Sequence, residues 1–178
     1  MMQASRVFKL ALICGGPSQE RGISLNSARS VMDHLKSSYL EIIPIYVDYS
    51  KQFYRISLAQ LYSNTPADFD FKLHHTATKL DSGTLGQLLK SVDLVFPVIH
   101  GAFGEDGELQ ALLETYQVPF VGHSHSCCKW MFRKHQAAET LRGHGFPTLP
   151  QAILSYEQKD QLQVIERFFR QNFLQRAI

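Results

Sequence analysis

Cysteine is scarce in this chain, and the three that occur, Cys14, Cys127 and Cys128, are odd in number. Adjacent Cys127 and Cys128 are poorly placed to bridge each other, so no disulfide framework is expected and a reducing cytoplasm fits best. Long apolar runs are missing too. The start, MMQASRVFKLALICGG, holds an apolar stretch of only about seven residues before a glycine pair, against roughly 20 for a membrane span. No membrane partner is expected. Charge is sparse and balanced: 18 basic and 16 acidic residues leave a formal net charge of +2. No basic block or aromatic-basic stripe offers a nucleic-acid surface. The loop after the first apolar run, GGPSQERGISLNS, lacks the glycines of a GxGxxG dinucleotide fingerprint and the lysine of a phosphate loop, which removes both nucleotide readings. What remains is a chain of 178 residues, 44% hydrophobic and 19% charged, an ordinary globular composition long enough for one well-buried core.

Periodicity organises that core. Phe8 to Cys14 is a near-continuous apolar run ended by Gly15-Gly16, the pattern of a strand buried on both faces of a parallel sheet. Ala28, Val31, Met32 and Leu35 then recur at helical spacing, predicting a helix over 24–37 with Ser24 as its N-cap. Leu40 to Val47 reads as a second strand, and its Pro44 lacks a ladder donor, which predicts an edge position or a bulge. Strand, helix and strand in that order make a βαβ unit that puts the first loop at the carboxyl edge of the sheet, where open α/β folds bind ligands. Residues 48–86 show short mixed pieces without sustained period and read as a variable insert. Ser91 to His100 is again a buried-strand pattern, followed by the polar run Gly104-Glu105-Asp106-Gly107. Leu109, Leu112 and Leu113 mark a helix, Val118 to Val121 a short strand, and Ser124 to Gly143 a helix or two helical stretches in series. Leu149 to Leu154 is strand-like, and Leu162, Ile165, Phe168 and Phe169 line a last amphipathic helix. The fold class is α/β: a three-layer domain around a mainly parallel sheet.

Several residues could carry chemistry, each with a plainer reading beside it. Glu20 precedes a helix N-terminus, where acids collect for the dipole alone. Facing a cavity instead, it would hold a substrate ammonium through a charge-assisted hydrogen bond contributing about 1.5 to 3 kcal/mol. His100 closes an apolar strand and emerges at the same carboxyl edge if the two strands are parallel neighbours; a structural histidine is the alternative. Glu105 and Asp106 are either an acid/base or metal-binding pair or turn and capping residues. His123, His125, Cys127 and Cys128 have zinc-preferred side chains, yet H-x-H-x-C-C matches no common structural zinc pattern. Lys134, after Trp130, Met131 and Phe132, fits a snorkelling surface lysine unless its context assigns it more.

Three separated stretches, GGPSQERGISLNS, DLVFPVIHGAFGEDGELQALLE, and VPFVG followed by a helix and GHGFPTLP, occur in an order that resembles the N-terminal, pre-ATP-grasp domain of D-alanine-D-alanine ligases. The likeness runs from about Phe8 to Pro150. It implies a Rossmann-like domain in a cytoplasmic, ATP-dependent carbon-nitrogen ligase that activates one D-alanine as an acyl phosphate and joins it to the amine of a second, for peptidoglycan. It further implies that Glu20 binds the substrate ammonium, that Ser24 belongs to the catalytic loop, that Ile23 and His100 line the substrate, and that Lys134 reaches the nucleotide phosphates. ATP and Mg2+ or Mn2+ would be held mainly by further domains. The resemblance also suggests a homodimer through this domain. Gly22 and Ile23 stand where the family has an acidic residue and valine, and the helix reads Phe132-Arg133-Lys134 where the family has Met-Asp-Lys.

On this reading, residues 1–150 form the substrate-side domain and 151–178 begin the connection to an ATP-grasp region lying beyond LQRAI. The fragment alone is then expected to be inactive. A standalone small-molecule or protein binding module is the alternative of another class, and a metal-dependent hydrolase built on His100, Glu105, Asp106 and the His/Cys cluster is a third.

Overall fold

The first strand, β1 (Phe8–Gly15), sends alternate side chains into two separate cores. Ala11 and Ile13 enter one, Leu12 and Cys14 the other, and Leu10 to Cys14 are all buried. A strand apolar on both faces needs a covering layer on each side, and the chain supplies them. In the computed structural model, which describes residues 6–172, the elements that follow are α1 (Arg21–His34), β2 (Leu40–Val47), β3 (Phe53–Arg55), α2 (Leu58–Ser63), α3 (Pro66–Thr76), β4 (Thr78–Leu80), α4 (Ser82–Ser91), β5 (Leu94–Pro97), α5 (Glu108–Thr115), α6 (His125–Met131), α7 (Lys134–Gly143) and α8 (Gln161–Gln171). Two compact units result, Met1–Phe132 and Arg133–Ile178.

In the first unit the sheet order is β4-β3-β2-β1-β5. The β1 strand pairs in parallel with β2 from Phe8–Leu40 to Gly15–Val47, and with β5 from Leu10–Leu94 to Ile13–Pro97. The β3 strand runs antiparallel to β2, and β4 antiparallel to β3. Four strands therefore share one direction, and the sheet is mainly parallel. One face packs Leu85 and Leu89 of α4 and Leu109 and Leu113 of α5 against Ala11, Ile13, Ile45 and Val95. The other packs Leu25 and Ala28 of α1, Leu61 of α2, and Phe69 and Leu73 of α3 against Leu12, Cys14, Tyr46 and Tyr54. Each fully buried leucine or isoleucine contributes about 1.5 to 3 kcal/mol. From β1 the chain adds strands outward in one direction through β4, then crosses to place β5 on the other side of β1. The order thus reverses between β1 and β5, and the crevice at their carboxyl ends is a topological switch point.

The segment 48–86 departs from the loose insert expected of it. It holds β3, α2, α3, β4 and the start of α4, and it extends the sheet by two strands. Short-range capping chemistry builds it: Ser57 with Gln60 and Thr65 with Asp68 form reciprocal capping boxes, and Pro66 opens α3. Helices this short show too few turns for a clear hydrophobic period.

Other boundaries also shift. The β2 strand is interior and unbulged despite Pro44. The Pro44 carbonyl accepts from Ile56 N–H (3.2 Å), so its missing donor faces the side on which β3 has just ended, and no bond to β1 is lost. Ser91 ends α4 rather than opening a strand, and β5 covers only Leu94–Pro97. Val118–Val121 is reduced to a parallel bridge between Val95 and Phe120. The stretch Ser124–Gly143 is two helices, α6 and α7, and α8 stands where an amphipathic helix was predicted. Leu149–Leu154 forms no strand, because no described segment pairs with its backbone.

Burial pushes the Cys14 thiol up to about 12. Iodoacetamide at neutral pH is therefore expected to alkylate Cys127, which is partly exposed, in the native protein and Cys14 only after denaturation, as read by peptide mass spectrometry. Equal native labelling of both would contradict this packing.

Candidate functional site

Two loops leave the carboxyl ends of neighbouring parallel strands: residues 16–20 after β1 and 98–107 after β5. Their convergence follows from that pairing, as strand-end placement predicts. Side chains then tie them together. Ser18 Oγ donates to the His100 carbonyl (2.8 Å) and accepts from Glu20 N–H (3.0 Å). Ser27, in the second turn of α1, places its hydroxyl 3.0 Å from His100 Nε2.

Ser24 is not the N-cap expected. The α1 helix begins one turn earlier, with Glu20 at the cap position and no side-chain cap bond. Ser24 is fully buried, accepts from Gly15 N–H (2.8 Å) and donates to the Val98 carbonyl (2.7 Å). A tertiary partner on each side outcompetes the local capping role, because both backbone groups lie beyond the end of the β1–β5 register at Ile13–Pro97.

Glu20 is exposed, and one of its carboxylate oxygens lies against Gly101. Gly101 has φ +72°, and a Cβ there would stand 2.7 Å from Glu20 Oε2. Glycine therefore serves both the left-handed turn and the approach of the carboxylate. Among the described residues Glu20 enters no ion pair; its neighbour Arg21 is held by Asp70 of α3 at 2.6 Å. Gly22 and Ile23 both lie in the first turn of α1, and Ile23 is 53% exposed.

The second loop is set by Asp106. Its carboxylate accepts from Phe103 N–H (2.8 Å) and Glu108 N–H (3.0 Å), so it closes the turn that leads into α5, whose N-cap position is Gly107. Glu105 Oε1 stands 3.9 Å from His100 Nδ1. His125 gives both its backbone N–H and its ring to Glu114 of α5. Cys128 Sγ faces the His123 carbonyl. These local bonds disperse the His/Cys cluster, and among the described residues no group of three or more His, Cys, Asp or Glu side chains could hold a metal ion. In the second unit Lys134 is the first residue of α7, whose cap residue Arg133 makes no side-chain cap bond.

Sequence patterns offered no route to Ser18, Ser27 or the Arg21–Asp70 pair, which join segments up to 82 residues apart. The only available signal was the repeated serine of the loop and helix, at Ser18, Ser24 and Ser27.

Comparison with known proteins assigns the chain a family. The family model described as D-ala D-ala ligase N-terminus matches residues 9–123. The D-alanine--D-alanine ligase of Chlorobaculum parvum is 34% identical over 125 residues, covering 64% of this chain and 34% of that protein. The vancomycin C-type resistance protein VanC1 of Enterococcus gallinarum is 34% identical over 170 residues, 91% of this chain and 48% of that protein. Among solved structures, the D-alanine-D-alanine ligase of Coxiella burnetii superposes with a TM-score of 0.76 at 27% identity, over 92% of this chain and 50% of that one. The chain spans half or less of the length of each.

Ser24→Ala is expected to lower unfolding free energy by about 2 to 4 kcal/mol in urea denaturation, since it strands a buried N–H and a buried C=O together. A loss below about 0.5 kcal/mol, the scale of a neutral surface change, would show that the hydroxyl is not the joint described.

Proposed function

Because the chain belongs to the D-ala D-ala ligase N-terminus family, matched over residues 9–123, we propose that it forms the substrate-side domain of a ligase that joins D-alanine to a second D-amino acid. The observation that carries this reading is the Glu20 carboxylate, without an ion-pair partner among the described residues and set at a topological switch point against the loop that follows His100. An ammonium offers what that carboxylate lacks. In this reading Glu20 accepts hydrogen bonds from the ammonium of the first D-alanine, and His100, fixed through its carbonyl and ring by Ser18 and Ser27, lines the same substrate. Ile23, exposed in the first turn of α1, offers the apolar contact. Ser24 acts through position: buried and saturated with backbone partners, it holds the two loops at a constant separation and does not itself meet the substrate.

ATP is the second substrate in this reading: its γ-phosphoryl group passes to the D-alanine carboxylate to give an acyl phosphate and ADP, and the second amine then attacks the acyl carbon and releases inorganic phosphate. Lys134 with the uncapped amides of α7 is suited to phosphate oxygens, which favour a helix N-terminus and a neighbouring cation. Magnesium or manganese is assigned to no residue of this chain, since the described residues bring together no metal-binding set. Domain limits of 1–150 and 151–178, a cytoplasmic setting, a homodimer through this domain and inactivity of the 178 residues alone belong to the same reading. Among the described residues no helix is long and apolar enough to cross a membrane.

In the full-length protein Glu20→Gln should raise the KM for the first D-alanine about 10- to 150-fold, the equivalent of one charge-assisted hydrogen bond, while the ATP KM stays within twofold. Unchanged D-alanine kinetics would remove Glu20 from the site. Lys134→Ala should act on the other substrate, raising the ATP KM about tenfold or more; equal effects on both substrates would contradict its assignment to phosphate.

A further inference from the structure

Glu20 is followed at once by a cation, Arg21, and a free guanidinium one residue away would compete with any ammonium for the Glu20 carboxylate. The structure shows that cation turned aside. Arg21 Nη1 lies 2.6 Å from Asp70 Oδ1 on α3, with the two side chains only 22% and 33% exposed. We propose that Asp70 is a positioning residue for Glu20: by engaging Arg21 it keeps the Glu20 carboxylate unpaired and held against Gly101. This inference rests on the proposed role of Glu20 in ammonium binding.

The helix that presents Asp70 is itself well anchored. Phe69, its neighbour in sequence, stacks on Tyr46 with ring centroids 4.2 Å apart and planes 19° from parallel. Tyr46 in turn lies directly beneath the first loop, since a Cβ added to Gly15 would meet its ring at 2.7 Å. The start of α3 is fixed by Pro66 and by the reciprocal bonds of Thr65 and Asp68. A second tie lies two turns further along α1, where Arg29 donates to the carbonyls of Leu61 (2.9 Å) and Asn64 (2.7 Å). Tyr62 closes a third, donating to Asp33 at 2.6 Å. The residues of α1 that face this segment, Arg21, Arg29 and Asp33, are spaced by eight and four, close to whole helical turns. The segment 57–76 is thus a brace along one side of α1, and Asp70 is its contact with the end that carries Glu20.

The arrangement gives the segment a role in the site through its contacts with α1. Removing the Asp70 charge would leave Arg21 to find another carboxylate, and Glu20 is the one adjacent in sequence. The fold would persist, because the Phe69–Tyr46 stack and the Arg29 bonds do not involve Asp70.

The test compares Asp70→Asn, the conservative Asp70→Glu and Glu20→Gln in two measurements. In this 178-residue chain without ligand, amide spectra and hydrogen exchange of Asp70→Asn should show shifted Glu20 and Gly101 resonances. Exchange at Ser24, whose N–H bonds the Glu20 carbonyl at 3.0 Å, should speed up about tenfold, the scale on which loss of one partly shielded ion pair loosens a helix end. Leu113 in α5 should not change, and Asp70→Glu should restore most of the parent behaviour. In the full-length protein Asp70→Asn should raise the D-alanine KM several-fold with kcat and the ATP KM within twofold. Silent Glu20 and Gly101 amides in Asp70→Asn would overturn the proposal, as would an unaffected D-alanine KM in a protein whose Glu20→Gln variant is impaired. If the amide effects occur but neither Asp70→Asn nor Glu20→Gln alters D-alanine kinetics, the positioning stands and the substrate role of Glu20 fails.

Discussion

The buried hydroxyl of Ser24 is the joint on which the candidate site depends. Where two parallel strands end, their last N–H and C=O groups lose ladder partners, and the chains are free to splay. Ser24 closes that gap by taking Gly15 N–H on one side and giving its proton to the Val98 carbonyl on the other. One oxygen therefore sets the separation of the loops after β1 and β5 and docks the first turn of α1 between them. Ser18 and Ser27 repeat the arrangement nearer the solvent, each reaching His100. The crevice is prepared by hydroxyls, while the Glu20 carboxylate enters no ion pair among the described residues.

Much of the framework was legible before any coordinates, because continuous apolar runs and helical spacing over three turns are strong signals. Leu10 to Cys14, Ile43 to Val47 and the leucines of α5 took up the roles that their patterns implied. Capped helices of two or three turns and strands of three residues, as in 53–80, leave no comparable trace. Pro44 misled for a different reason. Its missing donor matters only on the side where a neighbour continues, and β3 stops there. Position relative to a strand end is a property of the fold and cannot be read from proline alone.

For the site, the location was legible and the wiring was not. Strand-end logic placed Glu20 and His100 on one edge, and the parallel pairing of β1 with β5 puts them there. Ser24 was singled out for the wrong reason, as a cap, since a serine before an apolar helix face looks the same whether its hydroxyl turns to its own helix or to a neighbouring strand. Asp106 takes the turn role that the plainer reading allowed, accepting from Phe103 and Glu108 N–H ahead of α5. Arg21 and Asp70 are 49 residues apart, and an ion pair across that distance has no period to betray it. In the proposed reading the family likeness suggests the ligand, and the Glu20 carboxylate beside Gly101 is the group that would receive its ammonium.

The most direct test of the account is a crystal structure of the full-length protein with D-alanine bound. The amino group should lie within about 3 Å of a Glu20 carboxylate oxygen, with His100 alongside and Arg21 still on Asp70. A D-alanine seated away from the crevice between the two loops, with Glu20 facing solvent, would contradict the account.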